Sequence, residues 1–132
     1  LREARPEGTP SAPPLVLLHQ SPLSGRMYER LLPELAERRL VLAVDTPGYG
    51  ESDRPPRRPP LAAYGDAILD AVLGEYGGPA DLFGYHTGAA IAAELAARRP
   101  ADVRRLVLVA FPHFDAARRA ELLRQFATPR EY

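Results

Sequence analysis

The 132 residues carry 17 basic and 17 acidic side chains, a formal net charge of zero, and 45% of them are hydrophobic. That is chain enough for one modest globular domain, and the balanced charge excludes the basic excess that nucleic-acid or anionic-membrane binding requires. The absence of Cys excludes disulfides, thiolate catalysis and Cys-based metal sites.

From the N-terminus, residues 1–14 are polar and Pro-rich and predict a loop, with the end of a strand possible at its start. "LVLLH" (15–19) is the first continuous apolar run and predicts a strand buried on both faces. "SGRMYERLLPELAERR" (24–39) predicts a helix with Ser24 as N-cap and Met27, Tyr28, Leu31, Leu32 and Leu35 on one stripe, kinked or ended early by Pro33. "LVLAVD" (40–45) is a second strand, and "RPPRRPP" (54–60) is too proline-rich for regular structure. A helix follows over 61–78, with Leu61, Tyr64, Ile68 and Val72 on one face and Gly77-Gly78 as its stop. "DLFGY" (81–85) is the third strand, 88–100 an Ala-rich helix ended by Pro100, and "VRRLVLVAF" (103–111) the fourth strand. A last helix is predicted over 115–126, with Asp115 as a possible cap. The Arg pairs at 38–39, 98–99 and 104–105 read as solvated helix ends and strand edges.

Alternation of this kind predicts an α/β domain with a mainly parallel sheet and flanking helices. Functional residues then belong beyond the carboxyl ends of the strands, in 19–25, 45–53 and 84–88. No run approaches the roughly 20 apolar residues of a membrane span. The start, "LREARPEGTP", has no apolar signal-peptide core, and the expected location is the cytoplasm. His19, His86 and His113 are too far apart for a local metal motif.

The segment 84–88, "GYHTG", carries the strongest local signal. A strand that turns straight into a helix crowds the residues beside the apex, and glycine at Gly84 and Gly88 relieves that crowding. The apex residue, His86, is then forced into a strained backbone with its side chain projecting outward. The next amide, Thr87 N–H, opens the helix and faces any developing negative charge. The segment is neither a Walker loop nor G-x-G-x-x-G.

With "LLHQSP" (17–22) and "VDTPGYGESD" (44–53), this segment resembles the α/β-hydrolase fold family over roughly residues 2–114. The family shows an H-G-x-P loop, then D-x-P-G-x-G-x-S, then G-x-S-x-G, in this order and at similar spacing. The resemblance implies an oxyanion hole made by the backbone amides of Ser21 and Thr87, a structural role for the loop histidine His19, and a site-shaping loop built on Asp45, Gly48 and Gly50. It implies a small ester or related acyl substrate, and no metal or organic cofactor. It also implies that residues 1–114 are the N-terminal part of the core, without its first strand, and that 115–132 begin the lid, or cap.

Three departures stand out. Gln20 replaces the glycine after the loop histidine, which narrows or polarises the oxyanion side. His86 replaces the Ser, Cys or Asp of the elbow. The family's acid and histidine follow later strands, so an incomplete α/β-hydrolase fold without a full triad is expected. Asp115 is a weak candidate for the acid, with helix capping as its other explanation. His86 has three readings: a catalytic group, as in a lyase or cofactor-free oxygenase; a substrate-binding residue; or the mark of a non-catalytic small-molecule-binding relative. Thr87 and Tyr85 are expected to act through backbone and packing, and His113 at the rim of the site. The sequence does not specify an oligomeric state. An exposed sheet edge predicts that the isolated chain is marginally stable or associates.

Overall fold

The computed structural model describes residues 1–57, 60–118 and 120–121. Five strands form one sheet in the order β1-β3-β2-β4-β5: β1 (Arg2–Ala4), β2 (Leu15–Leu18), β3 (Val41–Val44), β4 (Ala80–Tyr85) and β5 (Val103–Val109). β2, β3, β4 and β5 pair in parallel, and β1 adds an antiparallel edge on β3, with Glu3 opposite Leu42. The four apolar runs are therefore the four parallel strands. The three-residue β1 lies at the start of the stretch read mainly as loop, where the sequence allows the end of a strand, and its half-exposed "REA" is too short to give a periodic signal.

Side chains of β2 alternate between two cores, as the pleat requires. Val16 and Leu18 pack with Leu42, Leu82, Ile68, Leu69, Ile91 and Leu95 under α2 (Leu61–Tyr76) and α3 (Thr87–Arg98). Leu17 faces the other way, with Val41, Ala43, Tyr28, Leu32 and Ala36. Gly65 lets α2 approach α3, since a Cβ there would lie 2.6 Å from Leu95 Cγ.

The helix expected over 24–39 is instead two short pieces, a 3-10 turn at Gly25–Tyr28 and α1 at Leu32–Leu35. Ser24 does cap the first, its Oγ accepting from Arg26 N at 3.4 Å. Pro33 is confined to the first turn of the second, where its missing N–H costs no helical bond. The expected stripe is accordingly split. Tyr28 and Leu32 are buried, but Met27, Leu31 and Leu35 are exposed. Leu31 and Leu35 line an open apolar groove with Leu17, Tyr28, Phe83 and Val107. β5 forms the sheet edge beside it, with Leu106, Val107, Leu108 and Val109 all exposed.

The arginine pairs are not merely solvated ends. Buried Asp81, at the start of β4, accepts from Arg104 Nε and Nη2 at 2.8 and 2.6 Å and from Arg39 Nη1 at 2.8 Å. Arg98 pairs with Asp66 at 2.8 Å, and Arg99 with Asp70 and Asp102, which ties α3 to α2. Residues 116–118, 120 and 121 are helical, so a last helix begins where expected, and the rest of the 115–126 prediction lies outside the described residues. Residues 58 and 59 of the proline-rich loop lie outside them as well.

The Arg104 fork, with Arg39 beside it, holds the Asp81 carboxyl below the usual carboxylate range against the opposing effect of burial. A carboxyl whose folded pKa is lowered stabilises the fold above its unfolded pKa and loses that contribution as pH falls through the folded value. Asp81→Asn is therefore expected to cost about 2 kcal/mol at pH 7. In thermal unfolding followed by circular dichroism, the gap between wild type and variant narrows as pH is lowered from neutral to below the carboxylate range.

Candidate active site

β4 ends at Tyr85, α3 begins at Thr87, and His86 alone makes the turn, with φ 52° and ψ −111°. A left-handed φ on a non-glycine residue stores strain of order 1–3 kcal/mol. Neighbouring bonds hold it: His86 N–H donates to Val109 O at 2.9 Å, and His86 O accepts from Ala89 N at 3.0 Å. Ala110, just after β5, is the other non-glycine with positive φ among the described residues. Gly84 and Gly88 are required here. A Cβ on Gly84 would lie 2.4 Å from Gly88 O, and one on Gly88 would lie 2.1 Å from Leu18 O. The His86 ring is exposed, and no group among the described residues hydrogen-bonds to it.

The segment 19–22 leaves β2 directly against this turn. His19 is 1% exposed. Its Nε2 accepts from Thr46 N at 3.0 Å, so the ring proton sits on Nδ1, which lies 2.9 Å from Gln20 O and donates to it. Tyr49 meets the ring edge-on at 5.8 Å. His19 thus joins the loop after β2 to the loop after β3. Ser21 N–H points at the elbow, where it donates to Thr87 Oγ1 over a long 3.4 Å. Thr87 N–H, in the first turn of α3, has no intrahelical acceptor.

Asp45 organises the loop after β3. Its buried carboxylate accepts from Gly25 N at 2.7 Å, Glu51 N at 3.1 Å and Arg2 Nη1 at 3.1 Å, while Ser52 Oγ donates to its backbone oxygen at 2.7 Å. Burial raises the Asp45 pKa, but the two amides and the guanidinium outweigh it and hold the carboxyl below its ordinary range. Gly50 must lack a side chain, because a Cβ would lie 2.4 Å from Asp45 Cγ, and both Gly48 and Gly50 have positive φ. Gly25 meets the same limit against Ala43 O at 2.8 Å.

The structure thus brings His86, Thr87, Ser21, Gln20 and His19 to one end of the sheet, with Asp45, Gly48 and Gly50 shaping the adjoining loop. It does not bring in Asp115. That carboxylate is exposed and accepts from Arg118 N at 2.7 Å, the bond of a helix cap. His113 stacks on Phe111 with centroids 6.3 Å apart. Among the described residues, no three His, Asp or Glu side chains cluster as a metal site would need, and no helix is long and apolar enough to cross a membrane. Sequence reasoning missed Arg2 and did not single out Gly25 or Thr46, although both lie in the segments 19–25 and 45–53 expected beyond the strand ends.

A family model described as the alpha/beta hydrolase fold matches residues 13–129. The chain is 38% identical over 98 residues to a pimeloyl-[acyl-carrier protein] methyl ester esterase of Chromobacterium violaceum, covering 74% of this chain and 37% of that protein. It is 38% identical over 103 residues to a 2-hydroxymuconate semialdehyde hydrolase of Pseudomonas sp. strain CF600, covering 73% of this chain and 35% of that protein. Among solved structures, a hydrolase from Pseudomonas aeruginosa superposes with a TM-score of 0.79 at 25% identity, over 98% of this chain and 49% of that one. An N-acyl homoserine lactonase superposes with a TM-score of 0.72 at 30% identity, over 84% and 41%. The chain therefore spans little more than a third of the length of these curated relatives.

Two substitutions test this construction. Asp45→Ala strips the acceptor from the buried Gly25 amide and from the Glu51 amide and is expected to cost about 2–4 kcal/mol in urea unfolding. Gly88→Ala drives a methyl group into the Leu18 carbonyl, and the same measurement is expected to show a loss of about 3 kcal/mol.

Proposed function

The chain belongs to the α/β-hydrolase fold family, and on that premise we propose that the protein hydrolyses a small ester or related acyl compound at the elbow whose apex is His86. The observation that carries this reading is the backbone of His86, held at φ 52° and ψ −111° between two glycines that admit no side chain. Strain of this kind persists where a side chain must be presented at a fixed point. The names of the relatives, esterase, hydrolase and lactonase, agree with acyl chemistry on small molecules. Neither metal nor organic cofactor enters this chemistry, and nucleic acid and membrane are not partners in it.

The imidazole of His86 acts as general base on a water molecule. The hydroxide adds to the acyl carbon, and the carbonyl oxygen becomes an oxyanion facing the start of α3. Thr87 N–H and the Ser21 loop supply the donors that stabilise it. The intermediate collapses, the C–O bond to the leaving group breaks, and the imidazolium returns its proton to the departing alkoxide.

A second reading, a non-catalytic small-molecule-binding relative, is favoured by one observation: no group among the described residues orients the His86 ring. Turnover of p-nitrophenyl esters separates the two. His86→Ala is expected to lower kcat/KM by about 100-fold or more. Equal rates in wild type and His86→Ala sink the catalytic reading, and ligand binding without turnover supports the second. A gain of esterase activity in His86→Ser would identify an elbow that lacks only its usual nucleophile.

A further inference from the structure

β5 is the last strand of the sheet, and Leu106, Val107, Leu108 and Val109 are all exposed there. Val109 O points inward, where it accepts from His86 N at 2.9 Å. Successive residues of a strand turn their N–H and C=O groups to opposite sides, so Leu106 and Leu108 present theirs outward. An open edge of this kind is a template for another strand. The opposite edge of the sheet is blunted. There β1 has only three residues, Arg2 is held by Glu29, Asp45 and Glu51, and Glu3 by Arg5. One adhesive edge and one blunt edge limit edge-to-edge association to two copies.

Charge decides how two copies fit. Arg104 and Arg105 stand together near the start of β5, and the apolar residues follow. In-register parallel pairing with an identical strand sets each arginine beside its own copy, and like charges placed opposite one another are destabilising. Antiparallel pairing about a two-fold axis at Val107 separates them. Leu106 then exchanges both N–H···O bonds with Leu108 of the second copy, and Leu108 does the same with Leu106. Arg105 comes to lie opposite Val109 of the second copy. The two Val107 side chains meet at the axis, on the face of the sheet that carries Phe83.

We propose that β5 is a homodimer interface, through which two copies of this chain pair antiparallel, centred on Val107, into one continuous sheet. The partner is a second copy, and the inference does not rest on the hydrolase reading above. The pairing also braces the strand whose Val109 carbonyl holds the His86 amide.

Sedimentation equilibrium of the 132-residue chain is expected to give twice the 14.5 kDa of one copy. Its melting temperature is expected to rise with protein concentration. Val107→Lys sets two like charges face to face at the axis and is expected to leave a folded monomer, with circular dichroism checking the fold. Register is tested by oxidative cross-linking, for which a chain without Cys is suited. At a two-fold axis through a non-hydrogen-bonded pair the two Cα atoms stand about 4.5 Å apart, within the span of a disulfide. Val107→Cys, a near-isosteric change, is therefore expected to cross-link at least tenfold faster than Leu108→Cys, whose own copies lie beyond the roughly 7 Å limit. A wild-type monomer at every concentration overturns the proposal, as do wild-type assemblies larger than two. So do a Val107→Lys dimer and equal cross-linking at 107 and 108.

Discussion

The start of α3 rests on the backbone at the end of β2. A methyl group on Gly88 would stand 2.1 Å from the Leu18 carbonyl oxygen, and no side-chain adjustment can relieve a collision with main chain. The same carbonyl accepts the buried hydroxyl of Tyr28 at 3.0 Å, and burial pushes the Tyr28 pKa up to about 12. Three elements therefore converge on one peptide group: the strand that carries the histidine loop, the helix that opens at Thr87, and the 3-10 turn on the far face. The position of His86 relative to Ser21 follows from that convergence.

Asp45 is the second anchor, and its physics differs. The elbow is fixed by exclusion, since glycine is needed wherever backbone meets backbone. The loop after β3 is fixed by a buried charge, which must be satisfied because an unpaired carboxylate in that position would be far too costly. Gly25, Gly50 and the amide of Glu51 are arranged around the Asp45 oxygens, and Arg2 reaches them from the antiparallel edge strand. The short β1 thus helps neutralise a carboxylate beside the site as well as closing one side of the sheet.

This division explains what could be read in advance. The elbow was legible because its cause is local: two glycines flank one residue between an apolar strand and an Ala-rich helix. The four parallel strands were legible because burial on both faces leaves continuous apolar runs. The ion pairs of Asp81, and the reach of Arg2 to Asp45, join residues 23 to 43 positions apart, and no local pattern encodes them. The 24–39 segment misled because its apolar spacing is helical while Pro33 forbids one continuous helix. Asp115 suited an acid and a cap equally in sequence, and the bond from Arg118 N makes it a cap.

The identity of the apex residue is the least constrained part of the arrangement. The turn needs small neighbours at 84 and 88, a bond from the apex amide to Val109 O, and a residue able to tolerate φ 52°. His is among the residues enriched at positive φ. Thr87 N–H, an oxyanion donor on the proposed reading, belongs to backbone whose placement does not depend on the apex side chain. On that reading, an imidazole can stand at the apex in place of a hydroxyl without moving the amides around it. If the site works as proposed, oxyanion stabilisation, usually the largest single contribution to acyl-transfer catalysis, does not depend on which residue stands at the apex.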